Sequence, residues 1–485
     1  MKLDHTRAPI FDITLDYAKK DIVSMIMPAH GQGKGISQKW KDYVGENIFR
    51  MDISDLPGQD DFYEPESAIL EAQELAADAW GAKETFFSVN GTSAANIAAI
   101  CSLVSEGDKI IVPRNCHKSV IYGLIVSGAV PVYAIPDVYD EYGIIGGMDP
   151  SEVERVYAAN PDAKAVISVV PTYHGVYSDL TAISSVVHRH DGIHMVDEAH
   201  GNHVYFNDKY PKGALECGAD IVTQSTHKVS GSLQQSSMLH VNSDLIDTTR
   251  IRFNMQMMQN TSASGLLVIS LDLARQYMAL HGREALDDLL ELIQYGHDSI
   301  RKIPGFSIVD KSFEGKHHIS AIEPSRLVIS AKDLGITGYE LQSILAKEYE
   351  IHTEFSDNYY AAGFPGLGAV RGDIDSLITA CREISERFAG NPPLSGWKNK
   401  LPAMPPAAMT PREAYTAPYE KIAWADAKGR VCVDMIVPYP PGIPAICPGE
   451  VINDEVWTFL TSQQQQGIHL HGVRGGSLDG IRVVK

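Results

Sequence analysis

Short apolar runs alternate with longer helical stretches between residues 84 and 241, and this alternation limits the possible folds more than any other feature. Apolar runs separated by helices predict a mostly parallel sheet that is covered on both faces. Ligands of such sheets bind beyond the carboxyl ends of the strands. The predicted strands are ETFFSV (84–89), KIIVP (109–113), VPVYAI, AKAVISVV (163–170), IHMVD (193–197), ADIVTQ (219–224) and SSMLHV (236–241).

The bulk composition is that of a globular protein with several domains. The chain has 485 residues, 44% of them hydrophobic and 21% charged. Its net charge of −20 opposes binding to nucleic acid or an anionic membrane and suits a cationic small substrate. No apolar run is long enough for a membrane span. Six scattered cysteines without a CxxC pair favour a reducing cytoplasm over a disulfide framework or a zinc site.

Changes in pattern divide the chain into four parts. A long helical stretch over 263–303 closes a large domain that we place at 66–303, after an N-terminal segment at 1–65. A Pro-rich connector within 388–415 separates a small α/β domain from the end of the chain. The sequence therefore predicts the small domain at 304–392 and a C-terminal domain at 393–485.

The segment after the first strand, SVNGTSAAN, has the composition of an anion-binding turn. Gly91 permits a tight turn, and Thr92 and Ser93 begin the next helix. Backbone N–H groups and hydroxyls at a helix N-terminus bind phosphate. Ordinary N-capping by Thr or Ser is the alternative reading. The segment matches neither a Walker loop nor GxGxxG.

Polar residues follow three more of the predicted strands. His117 comes after KIIVP, where it could stack on a ring, transfer protons or simply cap the next helix. Asp197 ends a buried strand, so its carboxylate needs a partner such as a cationic ring nitrogen, an arginine or a backbone cap. A metal site at DEAHGNH is disfavoured, because this segment lacks the HExxH spacing.

Lys228 lies in STHK, directly after the strand ADIVTQ. Solvation at the surface would explain a lone lysine, but a desolvated lysine at a strand end can also act as a nucleophilic amine. A phosphate cradle, a ring-stacking histidine, an acid for a ring nitrogen and an imine-forming lysine are together the parts that hold pyridoxal phosphate.

Seven strings resemble the bacterial ornithine/lysine/arginine decarboxylase family: VNGTSAAN, PRNCHKS, PTYHGVYSDL, VDEAHG, STHKVSGSLQQSSMLH, SLDLAR and YPPGIPAICPGE. The resemblance extends over about residues 20–485 and is strongest for the short form that lacks an N-terminal wing domain, as in Gram-positive biosynthetic arginine decarboxylases. It implies the α/β fold type I of aspartate aminotransferase, with 66–303 as the cofactor-binding domain and 393–485 as the decarboxylase C-terminal domain.

The resemblance also implies roles for individual residues. Lys228 would form the aldimine with the cofactor, Asp197 would pair with the pyridine nitrogen, and His117 would stack on the ring. The phosphate would be held by residues that follow two strands, namely Gly91, Thr92, Ser93, Ser225 and His227. Ala199 and His200 would line the other face of the ring, Ser262 would reach the phosphate of a partner subunit, and Lys228 or His227 would return the proton to Cα.

Three departures from the family pattern lie in segments that are near the substrate in the resembled fold. The N-terminal loop reads PAHGQG with Gly31 in place of a lysine, Tyr63 replaces a histidine, and Arg371 precedes Gly-Asp. The side-chain cation of a substrate needs carboxylates. Candidates are Glu354, Asp357, Asp60, Asp61 and Glu450, each of which could instead be an ordinary carboxylate of an acidic chain.

We therefore predict α-decarboxylation of a basic amino acid, foremost L-arginine to agmatine and carbon dioxide for polyamine biosynthesis, by a homodimer or higher even oligomer in the cytoplasm. The predicted cofactor is pyridoxal 5'-phosphate, and no metal, nucleic acid or membrane is predicted to take part. Lysine or ornithine decarboxylation, another fold type I reaction such as transamination, and a non-catalytic binding protein are the alternatives.

Overall fold

The computed structural model describes residues 3–53, 60–139, 141–394, 402–439 and 444–485. The helices are α1 Pro9–Ala18, α2 Gln38–Val44, α3 Asn47–Arg50, α4 Ala68–Trp80, α5 Gly91–Leu103, α6 Lys118–Ser127, α7 Pro150–Ala159, α8 Leu180–Arg189, α9 Thr226–Val229, α10 Thr248–Met257, α11 Gly265–Ile300, α12 Gly338–Glu348, α13 Arg371–Arg387, α14 Pro411–Thr416 and α15 Asp454–Gln465. The strands are β1 Glu84–Ser88, β2 Lys109–Pro113, β3 Val130–Ala134, β4 Val138–Tyr139, β5 Ile144–Ile145, β6 Ala165–Val169, β7 Val176–Tyr177, β8 Ile193–Asp197, β9 Ile221–Gln224, β10 Ser237–Val241, β11 Ser307–Ile308, β12 Ala321–Ile322, β13 Leu327–Ser330, β14 Phe355–Ser356, β15 Tyr360–Gly363, β16 Tyr419–Ile422, β17 Val437–Tyr439, β18 His469–His471 and β19 Ile481–Val484.

The chain forms two compact units. The first consists of the described residues of Met1–Ser102 and Val196–Leu286, and the second of those of Leu103–Met195 and Asp287–Lys485. In the first unit, β10 pairs antiparallel with β1 on one side and with β9 on the other. The strands β1 and β9 therefore run in the same direction, and their carboxyl ends lie at the edge where β10 begins.

Hydrogen bonds bring the segment after β8 to this same edge. The backbone N–H of Glu198 donates to the carbonyl oxygen of Thr223 at 2.9 Å. The segments that follow β1, β8 and β9 thus converge within the first unit, as the strand-end argument predicts. Helix α5 follows β1 and packs through small side chains, since Ala94, Ala95 and Ala98 are all buried.

The second unit contains the parallel pairs of β2 with β3 and of β2 with β6. It also contains an antiparallel sheet with the order β11-β13-β15-β14. Near its C-terminus, the antiparallel pairs β16–β19 and β17–β18 accompany a separate apolar core that includes Trp424, Ile446, Val456 and Leu470. This separate core suits a C-terminal domain, although the bounds of the four predicted domains stay predictions.

The predicted elements agree well with those observed. All of the apolar runs form strands, and the long helical stretch forms α11. Part of the Pro-rich connector, 395–401, and part of YPPGIPAICPGE, 440–443, lie outside the described residues. Within the described ranges, no helix combines the length and the apolarity that a membrane span requires.

Candidate functional site

Hydroxyl groups meet at the strand edge of the first unit. The Thr92 Oγ1 atom lies 2.6 Å from Ser225 Oγ and 2.8 Å from Ser237 Oγ. Gly91 adopts φ +72°, a conformation that disfavours other residues, and its N–H donates to the Gln235 carbonyl at 2.7 Å. The structure thus brings Gly91, Thr92 and Ser225 together, while Ser93 is exposed on the first turn of α5.

Asp197 is a buried carboxylate that is held in one orientation. Its Oδ2 atom accepts a hydrogen bond from Asn96 Nδ2 at 2.8 Å, and its Oδ1 atom accepts one from the Ala199 N–H at 3.1 Å. The Asn96 side chain is fixed in turn, because its Oδ1 accepts from Thr223 Oγ1 at 2.6 Å. Asn96 was not among the predicted site residues, although a polar residue inside the apolar helix SAANIAAICSLV is a usable signal.

Lys228 lies on the short helix α9, directly after the strand β9. Its Nζ atom is 2.6 Å from His200 Nε2, and both residues belong to the first unit. His200 is buried, with 8% of its surface exposed. His227 has its Nδ1 atom 2.8 Å from the Ser236 carbonyl oxygen. The structure therefore places His200 in contact with the lysine, whereas the family resemblance implied for His200 only a role against a ring face.

Glu198, next to Asp197, is fully buried and was also missed. Its carboxylate accepts hydrogen bonds from Gln224 Nε2 at 2.7 Å, from Tyr205 Oη at 2.6 Å and from the Ala214 N–H at 2.8 Å. Burial raises the pKa of this carboxyl from 4.5 to about 7, and the three donors only partly oppose the shift. The Glu198–Gln224 hydrogen bond ties the segment after β8 to the end of β9.

Replacing Glu198 with glutamine is expected to destabilise the protein less at about pH 8 than at about pH 6. The folded-state pKa is above the ordinary value, so the protonated carboxyl stabilises the fold at low pH, and this contribution is lost as the pH rises through 7. The difference in the free energy of unfolding between wild type and variant should shrink by about 1 kcal/mol over this interval. Denaturant titration at both pH values measures it, with the exposed Glu284→Gln as control. A difference that does not change with pH would contradict the raised pKa.

His117 lies in the second unit, where it caps α6. Its Nδ1 atom is 2.8 Å from Ser119 Oγ and accepts the Ser119 N–H at 3.3 Å. The side chain is half-buried. The capping alternative is thus observed, and the ring-stacking role stays a prediction. Ser262 is exposed in the first unit, where its N–H donates to Asn260 Oδ1 at 2.9 Å, and its role toward a partner subunit also stays a prediction.

Two of the predicted substrate carboxylates act as backbone caps in the first unit. Asp60 accepts N–H hydrogen bonds from Glu66, Ser67, Ile69 and Leu70 at the start of α4. Burial alone would raise the pKa of Asp60, but these donors outweigh it and hold the pKa below its usual range. Asp61 is exposed and accepts the N–H of Tyr63 at 2.7 Å.

The other three carboxylates lie in the second unit. The Asp357 Oδ2 atom is 2.7 Å from His174 Nε2, and its Oδ1 atom accepts the N–H groups of Tyr359 and Tyr360. Glu354 is exposed, just before β14. Glu450 is buried and forms a two-pronged ion pair with Arg114, whose Nη1 and Nη2 atoms lie 2.5 and 2.8 Å from its carboxylate oxygens. These contacts give Asp357 and Glu450 structural partners, and their substrate roles stay predictions.

Replacing Glu450 with alanine is expected to lower the free energy of unfolding by about 3–5 kcal/mol, because the Arg114 cation would stay buried without its carboxylate. Denaturant unfolding measures the loss. Asp434→Ala is a matched control, since the Asp434 carboxylate is also buried and pairs with Arg482 at 2.6 Å. A Glu450→Ala protein with unchanged stability but a raised KM would instead support substrate binding by Glu450.

Two residues at which the sequence departs from the family pattern have internal partners in the first unit. The Tyr63 hydroxyl donates to the Asn260 carbonyl oxygen, and its ring packs edge-on against Phe62. Gly31 has φ +56° in a turn in which His30 Nδ1 accepts the Gly33 N–H. In the second unit, Arg371 pairs with Asp375 on the exposed face of α13.

Among the described residues, no group of three or more His, Cys, Asp or Glu side chains could hold a metal ion.

Comparison with known proteins identifies the family. The model for the Orn/Lys/Arg decarboxylase major domain matches residues 8–361, and the model for the C-terminal domain of the same family matches residues 397–481. The chain therefore belongs to the Orn/Lys/Arg decarboxylase family, and the family prediction made from the motifs is confirmed.

Among its relatives, the chain is 36% identical to an arginine decarboxylase of Bacillus subtilis (strain 168), over 98% of either chain. It is also 36% identical to an arginine decarboxylase of Halalkalibacterium halodurans, over 99% of this chain and 98% of the relative. The crystal structure of the Francisella novicida lysine decarboxylase LdcF matches with a TM-score of 0.85 at 22% identity, over 99% of this chain and 81% of LdcF. The predicted α/β fold class is thereby confirmed.

Proposed function

We propose that this chain is a carboxy-lyase that converts L-arginine to agmatine and carbon dioxide. The observation that carries the proposal is the identity of 33–36% with arginine decarboxylases over nearly the whole chain. The structural neighbours named lysine decarboxylases are only 21–22% identical, so they support the fold alone. The substrate is inferred from the arginine decarboxylases, which are more similar in sequence.

The side chains at the strand edge of the first unit fit pyridoxal phosphate. The hydroxyls of Thr92 and Ser225 and the N-terminus of α5 suit a phosphate. The buried carboxylate of Asp197, which accepts hydrogen bonds from Asn96 and from the Ala199 N–H, suits a protonated ring nitrogen. The Lys228 amine, at the same edge, suits a carbonyl group. These three chemical features together match one cofactor.

The predicted site residues would divide the binding of the cofactor among them. Gly91, Thr92, Ser93, Ser225 and His227 would hold the phosphate, and Asp197 would keep a proton on the ring nitrogen. Lys228 would hold the cofactor covalently and exchange protons, while His117, Ala199 and His200 would contact the ring. When bound, pyridoxal phosphate supplies the conjugated ring that accepts the electron pair left by departing carbon dioxide.

We further propose a homodimer or higher even oligomer, because fold type I enzymes commonly build their sites from two chains. The scattered cysteines favour the cytoplasm as the location. Sedimentation of the purified chain tests the oligomer, and a monomer under assay conditions would contradict it.

The test of function is a decarboxylation assay on cofactor-loaded protein with arginine, lysine and ornithine, with the amine products identified by mass. Agmatine from arginine supports the proposal. Cadaverine or putrescine as the main product would overturn the substrate but keep the reaction class. A keto acid would indicate transamination, and a protein that binds no cofactor would indicate a non-catalytic role.

A further inference from the structure

The contact between His200 and Lys228 has a chemical consequence for the lysine. The 2.6 Å separation of Nε2 and Nζ leaves room for one proton between the two nitrogens. A protonated lysine has no lone pair and cannot attack a carbonyl, whereas a neutral amine can. A buried imidazole at this distance is a base that can accept the proton and leave the amine neutral.

Side-chain hydrogen bonds join the two segments that carry these nitrogens. His200 lies between Glu198, which binds Gln224, and Asn202, whose Nδ2 donates to the Ser225 carbonyl oxygen at 3.1 Å. Gln224 and Ser225 directly precede the turn that carries Lys228. The segment with the imidazole and the segment with the amine are thus tied together on both sides of His200.

We propose that His200 is the catalytic base that deprotonates Lys228. The proton leaves Nζ, its N–H bond electrons remain on Nζ as the lone pair, and a new N–H bond forms at His200 Nε2. The positive charge moves from the ammonium to the imidazolium. The neutral amine of Lys228 would then have the lone pair that bonding to a carbonyl group of the cofactor requires. The reaction of this amine with the cofactor rests on the proposed function, whereas the proton transfer from Lys228 to His200 does not.

The test measures how fast the full-length chain, freed of cofactor, captures added pyridoxal phosphate over a range of pH. For His200→Asn, capture near neutral pH is expected to be about tenfold or more slower than in wild type. The two rates should converge at high pH, where lysine loses its proton without help. His203→Asn is the control, since His203 is buried in the same segment and its ring packs against Tyr210.

If the His200 variant captures the cofactor more slowly by the same factor at every pH, the role of His200 is merely structural and the proposal is overturned. A variant whose pH profile superimposes on that of wild type would also overturn it. His200→Gln, which also lacks a base, replaces the asparagine variant if that chain does not fold. If wild type captures no cofactor, the proposed function fails. The role of His200 is then tested by measuring how the rate of Lys228 acylation depends on pH, with the acylated lysine identified by peptide mass. An acylation profile unchanged by the substitution would overturn the role of His200.

Discussion

Replacement of Lys228 with alanine is expected to remove covalently held cofactor and to lower turnover by at least about 10⁴-fold, the upper range for one positioned proton-transferring group. Lys228 is the lysine at the strand edge where the hydroxyls of Thr92 and Ser225 and the carboxylate of Asp197 also converge. An alanine there can neither bind a carbonyl covalently nor exchange a proton. Borohydride reduction followed by peptide mass analysis detects the covalent cofactor, and amine release measures turnover.

The control for this variant is Lys83→Ala. Lys83 is half-exposed and pairs with Asp244 at 2.7 Å, so its loss removes an amine without touching the strand edge. This control should retain both cofactor and turnover. Cofactor trapped on another lysine of the Lys228→Ala protein would disprove the assignment of Lys228.

Replacement of Asp197 with asparagine is expected to lower turnover by about 100-fold or more, which corresponds to about 3 kcal/mol in the activation barrier. The amide carries no negative charge to hold a proton on a ring nitrogen. Its NH₂ group would also meet a donor, either the Asn96 amide or the Ala199 N–H, where the carboxylate accepts from both. Steady-state kinetics measure the loss, and the cofactor absorbance shows whether the variant still binds pyridoxal phosphate.

Asn96→Ala separates the charge of Asp197 from its orientation. This variant keeps the carboxylate but removes the donor to Oδ2, so we expect a smaller loss of turnover than for Asp197→Asn. Near-normal turnover of Asp197→Asn with bound cofactor would mean that the carboxylate does not act on the ring nitrogen. An equal loss in both variants would mean that orientation alone explains the effect.

The sequence was a reliable guide to the strands and to the polar residues that follow them. Strands buried on both faces leave continuous apolar runs, and the polar residues that follow them stand out against this background. This contrast is why Gly91, Thr92, Asp197, Ser225 and Lys228 could be selected from the sequence. In the first unit, the strand pairings bring these residues to one edge.

The groups that a side chain binds were much harder to predict from the sequence than the position of a residue at the end of a strand. Glu450 was predicted as a candidate substrate ligand, and that role stays a prediction; the sequence did not indicate that its carboxylate binds Arg114, which is 336 residues away. Asp60 was predicted in the same way, and the sequence did not indicate that it caps the backbone before and within α4. A carboxylate that binds a substrate cation and one that binds an internal arginine or N–H group have the same sequence appearance, because the difference is the identity of the neighbour.

The sequence by itself determined the strand–helix alternation, the family and the types of reactive group, since these depend on local pattern and on the order of residues. Only the tertiary structure decided that Asn96 orients Asp197, that Glu198 ties two segments through Gln224, and that the His200 imidazole contacts the Lys228 amine. The physical reason is that hydrogen bonds act over about 3 Å, and folding alone sets which distant residues come within that distance.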